Sequence, residues 1–332
     1  SGQINRALNV VDDGDQTKFY AVDSDVSNTR FRMVGEATLD DWTVNSVLEQ
    51  ALSANNSYDV SQDKESSGDF LDTRKAELIA RNDRFGAFFG GKGSGASDDV
   101  SEYDLSLVAL AIMYSGVADP VGGLQFTEGG NLTGETIGDA YANFDGLGRY
   151  NRVMYVTPNF GGLQLAGSYG EDQKWDLALK FGYDYNDWTG IRIGPFTTLA
   201  GVAISDPSEP GVDYRLNGSV STIHDATGLG LTLAAGGDRR DGDDPYFVYG
   251  KLSWDTNFFS FGDTGFGVDV QYNENVLADD DSGYSLGIAI LQRLEKLGAD
   301  FYAQLRYFDY DNDDGPSFDS VVAGTTGFLV RF

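Results

Sequence analysis

Hydrophobic and polar residues alternate one by one along most of the second half of the chain. In residues 176–185 the odd positions are leucine or aromatic, among them Leu177, Leu179 and Phe181, and the even positions are small, polar or charged. The same period of two recurs in residues 214–220, 229–236, 266–273, 284–290 and 301–307. A period of two over about ten residues predicts a β-strand with one apolar and one polar face.

The connections between these runs alternate as well, between short and long. Short ones lie at residues 186–190 and 295–298, and long acidic ones at residues 238–245 and 277–283. Antiparallel strands joined in this way predict an all-β, up-and-down transmembrane barrel. The runs number about sixteen, an even number that lets a barrel close without an exposed edge. No linker or shift in composition divides the chain, so we expect one domain over residues 1–332.

Alternation is weaker in the first half of the chain. Around residues 74–84, charged residues occupy both faces of the predicted strand, namely Arg74, Lys75, Glu77 and Arg81. A wall bounded by lipid on one side cannot hold charge on both faces, because lipid-facing charges destabilise a barrel. We therefore expect the first few strands to form an interface between subunits.

Residues 94–147 do not fit the succession of strands and short turns. This segment of about fifty residues is much longer than a usual connection, and such length often indicates function. It begins with acidic residues, continues through the apolar residues 105–114 and becomes rich in glycine. Its apolar content would be unfavourable in water. We expect it to fold into the lumen of the barrel.

Composition adds three constraints. The chain has 332 residues and a net charge of −29, so it lacks the basic surface that nucleic acid requires. It contains no cysteine, which excludes disulfides and thiolate chemistry. Its mean hydropathy of −0.30 alone would indicate a soluble protein, but a barrel hides its apolar face in alternate residues. A basic start followed by an apolar core is absent after Ser1, so we expect a mature or trimmed sequence.

Four stretches of the chain resemble the Gram-negative general porins. Residues 29–36 (Thr-Arg-Phe-Arg-Met-Val-Gly-Glu) look like the second strand of that family. Residues 72–76 with 83–86 look like its fourth and fifth strands and the turn between them. Residues 152–163 look like its sixth strand and the turn that follows it, and residues 327–332 like its last strand. The resemblance implies a trimeric outer-membrane barrel of a Gram-negative bacterium.

The resemblance also implies that residues 94–147 form a constriction loop, with acids facing basic residues of the wall. Opposed charges across a narrow lumen orient polar solutes and discriminate against apolar ones. The expected basic wall residues are Arg6, Arg30, Arg32, Arg74, Lys75, Arg81 and Arg152. The expected loop acids are Asp98, Asp99, Glu102 and Asp104, and the alternative acids are Glu128, Glu135 and Asp139.

The last residues of the chain carry a second implication of the resemblance. The final strand of the family ends on an aromatic residue that the assembly machinery reads, and Phe328, Val330 and Phe332 share one face here. The expected partners are outer-membrane lipid and lipopolysaccharide, two further copies of the chain, and small hydrophilic solutes.

Three other motifs favour structural interpretations over functional ones. Residues 86–93 (GAFFGGKG) approach a phosphate-binding loop, but Gly93 stands where a metal-binding Ser or Thr is needed. His224 is the only histidine, and the Gly-x-Ser-x-Gly match at residues 283–287 overlaps an alternating strand pattern instead of the strand-to-helix turn of a nucleophile motif. Residues 309–314 begin like a calcium loop, but Asp314 replaces the glycine of its tight turn. We expect no cofactor and no dedicated metal site, with weak calcium binding by outer acidic loops as an open alternative.

The sequence therefore predicts an outer-membrane porin that passes small hydrophilic solutes and ions down their gradients, without a chemical step. A channel for one solute class, such as sugars, is the nearest alternative, and an outer-membrane hydrolase or adhesin is an alternative of another class. A soluble β-sandwich or propeller would also alternate, with its apolar face in a core. The acidic balance favours cations or neutral solutes, whereas the wall arginines would favour anions.

Overall fold

The computed structural model describes residues 1–52, 54–68, 71–183, 189–311 and 317–332. Within these residues one antiparallel sheet curls into a closed barrel. Two of its strands are interrupted. The segments Thr17–Asp23 and Arg30–Leu39 both pair with Gly2–Asp12, and the segments Trp175–Phe181 and Ile191–Ile193 both pair with Phe196–Asp206. Each pair of segments forms one strand of the wall.

Counted in this way, the described residues form sixteen barrel strands. Their bounds are β1 Gly2–Asp12, β2 Thr17–Asp23 with Arg30–Leu39, β3 Trp42–Ala51, β4 Asp72–Asn82, β5 Gly86–Ser94, β6 Arg149–Val156, β7 Leu163–Gly170, β8 Trp175–Phe181 with Ile191–Ile193, β9 Phe196–Asp206, β10 Val212–His224, β11 Leu229–Arg240, β12 Tyr246–Phe259, β13 Gly262–Glu274, β14 Ser282–Leu294, β15 Ala299–Asp311 and β16 Val321–Arg331. The predicted all-β barrel of about sixteen strands is confirmed.

The two ends of the chain close the barrel. Strand β16 pairs with β1 from Gln3 opposite Arg331 to Asp12 opposite Val322. Past the strand end, Gly2 and Phe332 exchange two backbone hydrogen bonds of 2.8 and 3.0 Å. Closure leaves the sheet without an edge, as a membrane-spanning barrel requires.

The predicted alternation corresponds to the two sides of the wall. On β8, Leu177 and Leu179 are exposed on the outside, whereas Asp176, Ala178 and Lys180 are buried on the inside. The apolar faces thus point away from the lumen, which argues against a soluble β-fold with an apolar core.

Helices are few and short among the described residues. One α-helix covers Ile137–Ala140, and 3₁₀ turns cover Asp25–Ser27, Leu107–Leu110, Glu171–Gln173 and Glu295–Leu297. In this part of the chain, no helix has the length and apolar character needed to cross a membrane. The predicted turn at residues 295–298 contains the last 3₁₀ turn. Residues 186–188 of the other predicted short turn lie outside the described residues.

The segment between β5 and β6 lies inside the barrel. Its side chains Val108, Ile112 and Met113 are fully buried in a cluster with the inward-facing Phe247 and Leu291 of the wall. A short hairpin, Gln125–Glu128 with Asn131–Thr136, forms a separate two-stranded sheet within the segment. Burial of this apolar stretch on the wall explains why it does not extend into water.

A β-bulge in β4 changes the faces on which the charged residues of 74–84 lie. Lys75 lies opposite Glu49 while Thr73 lies opposite Gln50, so Arg74 is an extra residue in β4. The bulge lets both Arg74 and Lys75 point inward, and outside the bulge the outer face carries Ala76, Leu78 and Ala80. The premise of charge on both faces was wrong, and the subunit interface stays a prediction.

Candidate functional site

Polar side chains of the barrel wall bind the backbone of the inward-folded loop. The Tyr103 amide donates to Ser219 Oγ at 3.1 Å, and the Leu105 amide to Ser221 Oγ at 2.9 Å, both on β10. The Leu107 amide donates to the Asp255 carboxylate of β12 at 2.9 Å. These bonds satisfy buried backbone donors and fix the path of the loop along one side of the lumen.

A buried ion pair fastens the same stretch. Asp104 pairs with Lys251 of β12, and the two side chains are 1% and 0% exposed. The Lys251 ammonium also donates to Ser106 Oγ at 2.8 Å and to the Met113 carbonyl at 2.9 Å. The expectation that Asp104 faces the lumen is therefore wrong, because the wall lysine holds it on the other side of the loop.

Ser57 and Tyr58, which lie between β3 and β4, bind the middle of the loop. Ser57 donates through Oγ to the Asp119 carbonyl at 2.5 Å, and Tyr58 through its hydroxyl to the Gly138 carbonyl at 3.1 Å. Gly138 lies so close to the ring of Tyr58 that an added Cβ would be 2.6 Å from its Cζ. Glycine is therefore required at this contact.

Between the loop and the strands β2–β4 lies a cavity of about 530 Å³. It brings together residues from three sources: the wall strands, the interruption of β2 and the loop. They are Asp25, Val26, Ser27, Arg30, Arg32, Glu49, Arg74, Lys75, Ser94, Asp98, Asp99, Glu102, Ala109, Leu110, Tyr114, Asp119, Asp145 and Arg149. The structure thus places four of the seven predicted basic residues and three of the four predicted acids on one cavity.

The basic side of the cavity is built on neighbouring strands. Arg30 and Arg32 come from β2, and Arg74 and Lys75 come from β4. Arg149, at the start of β6, was not predicted and lies 4.0 Å from the Asp98 carboxylate. The strand pairing places β3 between β2 and β4, so a carboxylate on β3 can lie between the two basic rows.

The acidic side comes from the two ends of the loop and from its middle. Burial and the neighbouring Asp98 raise the pKa of Asp99. Burial raises the pKa of Glu102 well above its usual range, and Asp145 adds to this. Burial also raises the pKa of Asp145 strongly, with Asp98 as the next cause. Burial and the neighbouring acids therefore favour the neutral form of these three carboxyls more than water does.

Asp119 and Asp25 form a second acidic group at the middle of the loop. Burial raises the pKa of Asp119 to about 7, the charge of Asp25 adds to this, and a hydrogen bond from the Tyr114 hydroxyl opposes it. Asp25 accepts a hydrogen bond of 2.7 Å from the Asn56 amide. Neither acid was predicted, because Asp25 lies in the interruption of β2 and Asp119 follows the apolar stretch.

Three carboxylates in the described residues are close enough to hold a cation. Oxygens of Asp98, Asp99 and Asp145 lie within 4.8 Å of one another. Hard cations prefer such oxygen ligands. Asp145 already accepts from the Asp99 amide at 2.9 Å and from Ser101 Oγ at 3.0 Å, and Arg149 supplies positive charge beside Asp98. The predicted weak calcium binding by outer loops remains a prediction, and residues 312–316 of one such loop lie outside the described residues.

Three predicted wall cations do not line the cavity. Arg6 faces outward because it shares the parity of the exposed Ile4 and Leu8, and it lies 3.6 Å from Asp23. Arg152 is buried behind the cavity and donates to Glu77 at 2.6 Å. Arg81 lies at the far end of β4 and is not among the described lining residues.

The alternative acids also lie elsewhere. Glu128 and Glu135 are exposed on the loop hairpin. Asp139 caps the short helix through a reciprocal pair of hydrogen bonds with Thr136. None of the three is among the described residues that line the cavity.

The remaining motifs have structural roles. Residues 86–93 lie in β5, where a Cβ on Gly93 would be 2.4 Å from the Glu77 carboxylate, so glycine leaves room for the Glu77–Arg152 pair. His224 ends β10 and lies 2.9 Å from Thr227 Oγ1. Phe328, Val330 and Phe332 are exposed on the outer side of the wall, and their role in assembly stays a prediction.

A closed antiparallel barrel with an apolar outer face and a charged, loop-narrowed lumen defines the class of outer-membrane channels. The family described as Gram-negative porin matches residues 1–313. The chain belongs to the Gram-negative porin family, and its location is the outer membrane of a Gram-negative bacterium.

Solved structures share the fold at low sequence identity. The trimer form of OmpT from Vibrio cholerae is 16% identical with a TM-score of 0.61, covering all of this chain and 98% of that chain. OmpF of Salmonella typhi in complex with daunomycin is 14% identical with a TM-score of 0.58, covering 99% of this chain and 97% of that chain. OccAB3 of Acinetobacter baumannii is 10% identical with a TM-score of 0.52, covering 100% of this chain and 98% of that chain. No curated protein matches the sequence.

Proposed function

We propose that this porin passes small hydrophilic solutes and ions by passive diffusion, with the cavity between the loop and β2–β4 as its narrow point. The observation that supports this is the arrangement of the charges. Basic side chains of the wall and acidic side chains of the loop line one space inside the barrel. No chemical step is needed, because size and charge alone decide which solutes enter.

The opposed charges explain a preference for polar solutes. Five cationic side chains (Arg30, Arg32, Arg74, Lys75 and Arg149) face seven carboxyl groups across or along the cavity. A field between opposite charges in a low-dielectric enclosure aligns water and dipolar solutes. An apolar solute would have to displace this ordered water without replacing its interactions.

The cavity also predicts its ion selectivity. When all seven carboxyls are charged they outnumber the five cations. Burial raises the pKa of Asp119 to about 7, so this carboxyl is partly protonated near neutral pH, and the negative charge of the cavity comes closer to its positive charge. We therefore propose a weak preference for cations that increases with pH.

We propose a homotrimer in the membrane. One similar structure, OmpT of Vibrio cholerae, is described in a trimer form. The apolar outer face of the barrel is suited to lipid, and part of it to neighbouring subunits. An SDS-resistant band that dissociates on heating would support this assembly, and a detergent-solubilised monomer under the same conditions would contradict it.

The direct test of the channel is current through the purified protein in a planar lipid bilayer. Large, steady steps in groups of three are expected, with a reversal potential in a salt gradient that indicates weak cation preference. Steps that a particular sugar or other nutrient blocks would favour a solute-specific channel instead. A correctly folded, heat-modifiable protein without current would contradict the proposal and favour the hydrolase or adhesin alternative.

A further inference from the structure

We propose that Glu49 is the positioning residue that assembles the basic wall of the cavity and thereby sets its ion selectivity. This inference rests on the proposed channel function for its electrical consequences, but its structural part does not. Glu49 lies on β3, between the two strands that carry the arginines, and its side chain is 1% exposed. A carboxylate so deeply buried stays charged only when its oxygens accept hydrogen bonds or pair with cations.

Each oxygen of Glu49 binds a different arginine. Arg32 donates through Nε to Oε2 at 2.6 Å, and its Nη2 pairs with the same oxygen. Arg74 donates through Nε to Oε1 at 2.8 Å. One carboxylate thus holds two guanidinium groups from opposite sides, with charge-assisted bonds that are stronger than neutral ones.

The register of the sheet makes this contact. Arg32 lies directly opposite Glu49 across β2 and β3, and Lys75 lies directly opposite Glu49 across β3 and β4. In a regular strand Arg74 would face outward when Lys75 faces inward. The bulge in β4 turns Arg74 inward, where it reaches the free oxygen of Glu49.

Without the carboxylate this arrangement would not persist. Arg32, Arg74, Arg30 and Lys75 would then be like charges on one cavity, with no anion among them on the wall. Removing one partner of a buried ion pair leaves the other charges uncompensated. Arg32 is already 42% exposed at its side chain, so we expect it and Arg74 to move into the lumen, where water solvates them.

Glu49→Gln tests the proposal, because glutamine keeps the size but offers only one acceptor oxygen and turns an amide donor toward a guanidinium. Two matched variants serve as controls. Glu77→Gln removes another buried, arginine-bound carboxylate, but one whose partner Arg152 lies behind the cavity. Asp25→Asn removes one negative charge from the same cavity and no bond to an arginine, and it is compared above pH 8, where the neighbouring Asp119 is charged in both proteins. Glu49→Asp keeps the charge.

The first readout needs no current. Folded, detergent-solubilised protein is treated with phenylglyoxal, and modification of Arg32 and Arg74 is followed by mass spectrometry. We expect several-fold faster modification of both arginines in Glu49→Gln, and rates close to the wild type in Glu77→Gln and Asp25→Asn. Unchanged modification in a folded Glu49→Gln barrel would overturn the positioning role, whether or not the protein conducts.

The second readout is the reversal potential in a salt gradient. We expect Glu49→Gln to shift it toward anions by more than Asp25→Asn does, because two arginines are released in addition to the loss of one charge. Glu49→Gln/Arg74→Gln should return it toward the wild-type value. Equal shifts in Glu49→Gln and Asp25→Asn would reduce Glu49 to an ordinary cavity charge. A wild-type barrel without current would contradict the proposed function, and the modification rates would still decide the role of Glu49.

Discussion

The two sides of the lumen use the same residue types for opposite purposes. On the side of β9–β15 the loop lies against the wall, and the ion pairs Lys251–Asp104 and Arg306–Asp269 are almost completely buried. On the side of β2–β4 the loop stands away from the wall, and Arg32 remains partly exposed next to the cavity. The difference arises from where the loop lies. The covered Lys251–Asp104 pair holds the loop to the wall and the covered Arg306–Asp269 pair joins β15 to β13, whereas the uncovered charges are those that we propose meet the solute.

The largest effect is expected from breaking the covered side. Lys251→Met leaves Asp104 buried without its cation and removes the two hydrogen bonds that Lys251 donates to Ser106 Oγ and to the Met113 carbonyl. Loss of one partner of a buried pair costs about 3–5 kcal/mol. On SDS gels we expect the folded band to convert to the unfolded band at a clearly lower temperature than in the wild type. In planar bilayers we expect the single-channel current to be noisier and larger.

The double variant Lys251→Met/Asp104→Leu is the control for this prediction. Replacing both members of a buried ion pair by apolar groups is often close to neutral. The conversion temperature should therefore return most of the way to the wild-type value. If the single and double variants convert at the same temperature, the ion pair does not fasten the loop.

A smaller effect on stability, with a clear effect on selectivity, is expected on the open side. Arg32→Gln removes a partly exposed cation whose carboxylate partner keeps Arg74. Arg32 is partly exposed, but its loss leaves one oxygen of the buried Glu49 without its donor, so we expect a cost of about 1–3 kcal/mol, smaller than that of Lys251→Met. The reversal potential should shift toward cations. An unchanged reversal potential would show that Arg32 does not meet the permeating ions.

The smallest effect is expected on the ion selectivity and comes from the protonation of a single carboxyl group, that of Asp119. The pKa of Asp119 is raised to about 7 by burial next to Asp25. A raised carboxyl pKa means that the group is neutral below pH 7 and gains its negative charge as the pH rises through that value. Cation preference should therefore increase between pH 6 and pH 8. In Asp119→Asn this part of the increase should be missing, and an identical pH profile in the variant would assign the change to other acids.

Local patterns predict the strands of this protein well and its side-chain partners only in part. Alternation identified the outer face of β8 because lipid-facing and lumen-facing positions differ in polarity over several residues. The same rule, applied to Arg6, would have placed it outside, since Ile4 and Leu8 share its parity. The resemblance to the wall arginines of the family had favoured the wrong face.

Glu49 shows what could have been found from the sequence. The Asp40-Asp41 turn pairs Leu39 with Trp42, and counting from it places Arg32 opposite Glu49. The bulge at Arg74 has no such signal, because a single extra residue in a strand leaves no mark in the composition. Asp104 was misplaced for another reason. Its partner Lys251 is about 150 residues away, and only the path of the loop brings them together.

Whether ions pass the cavity between the loop and β2–β4 is the most direct test of the proposed channel. The protein has no cysteine, so a single one can be introduced without background. Leu110 lines the cavity and is 42% exposed, and Leu286 on the outer face of β14 is 48% exposed. A bulky thiol-reactive cation is added to Leu110→Cys and Leu286→Cys in a planar bilayer, with labelling verified by mass spectrometry. We predict a stepwise fall in current for Leu110→Cys and none for Leu286→Cys; full current through a completely labelled Leu110→Cys barrel would contradict the account.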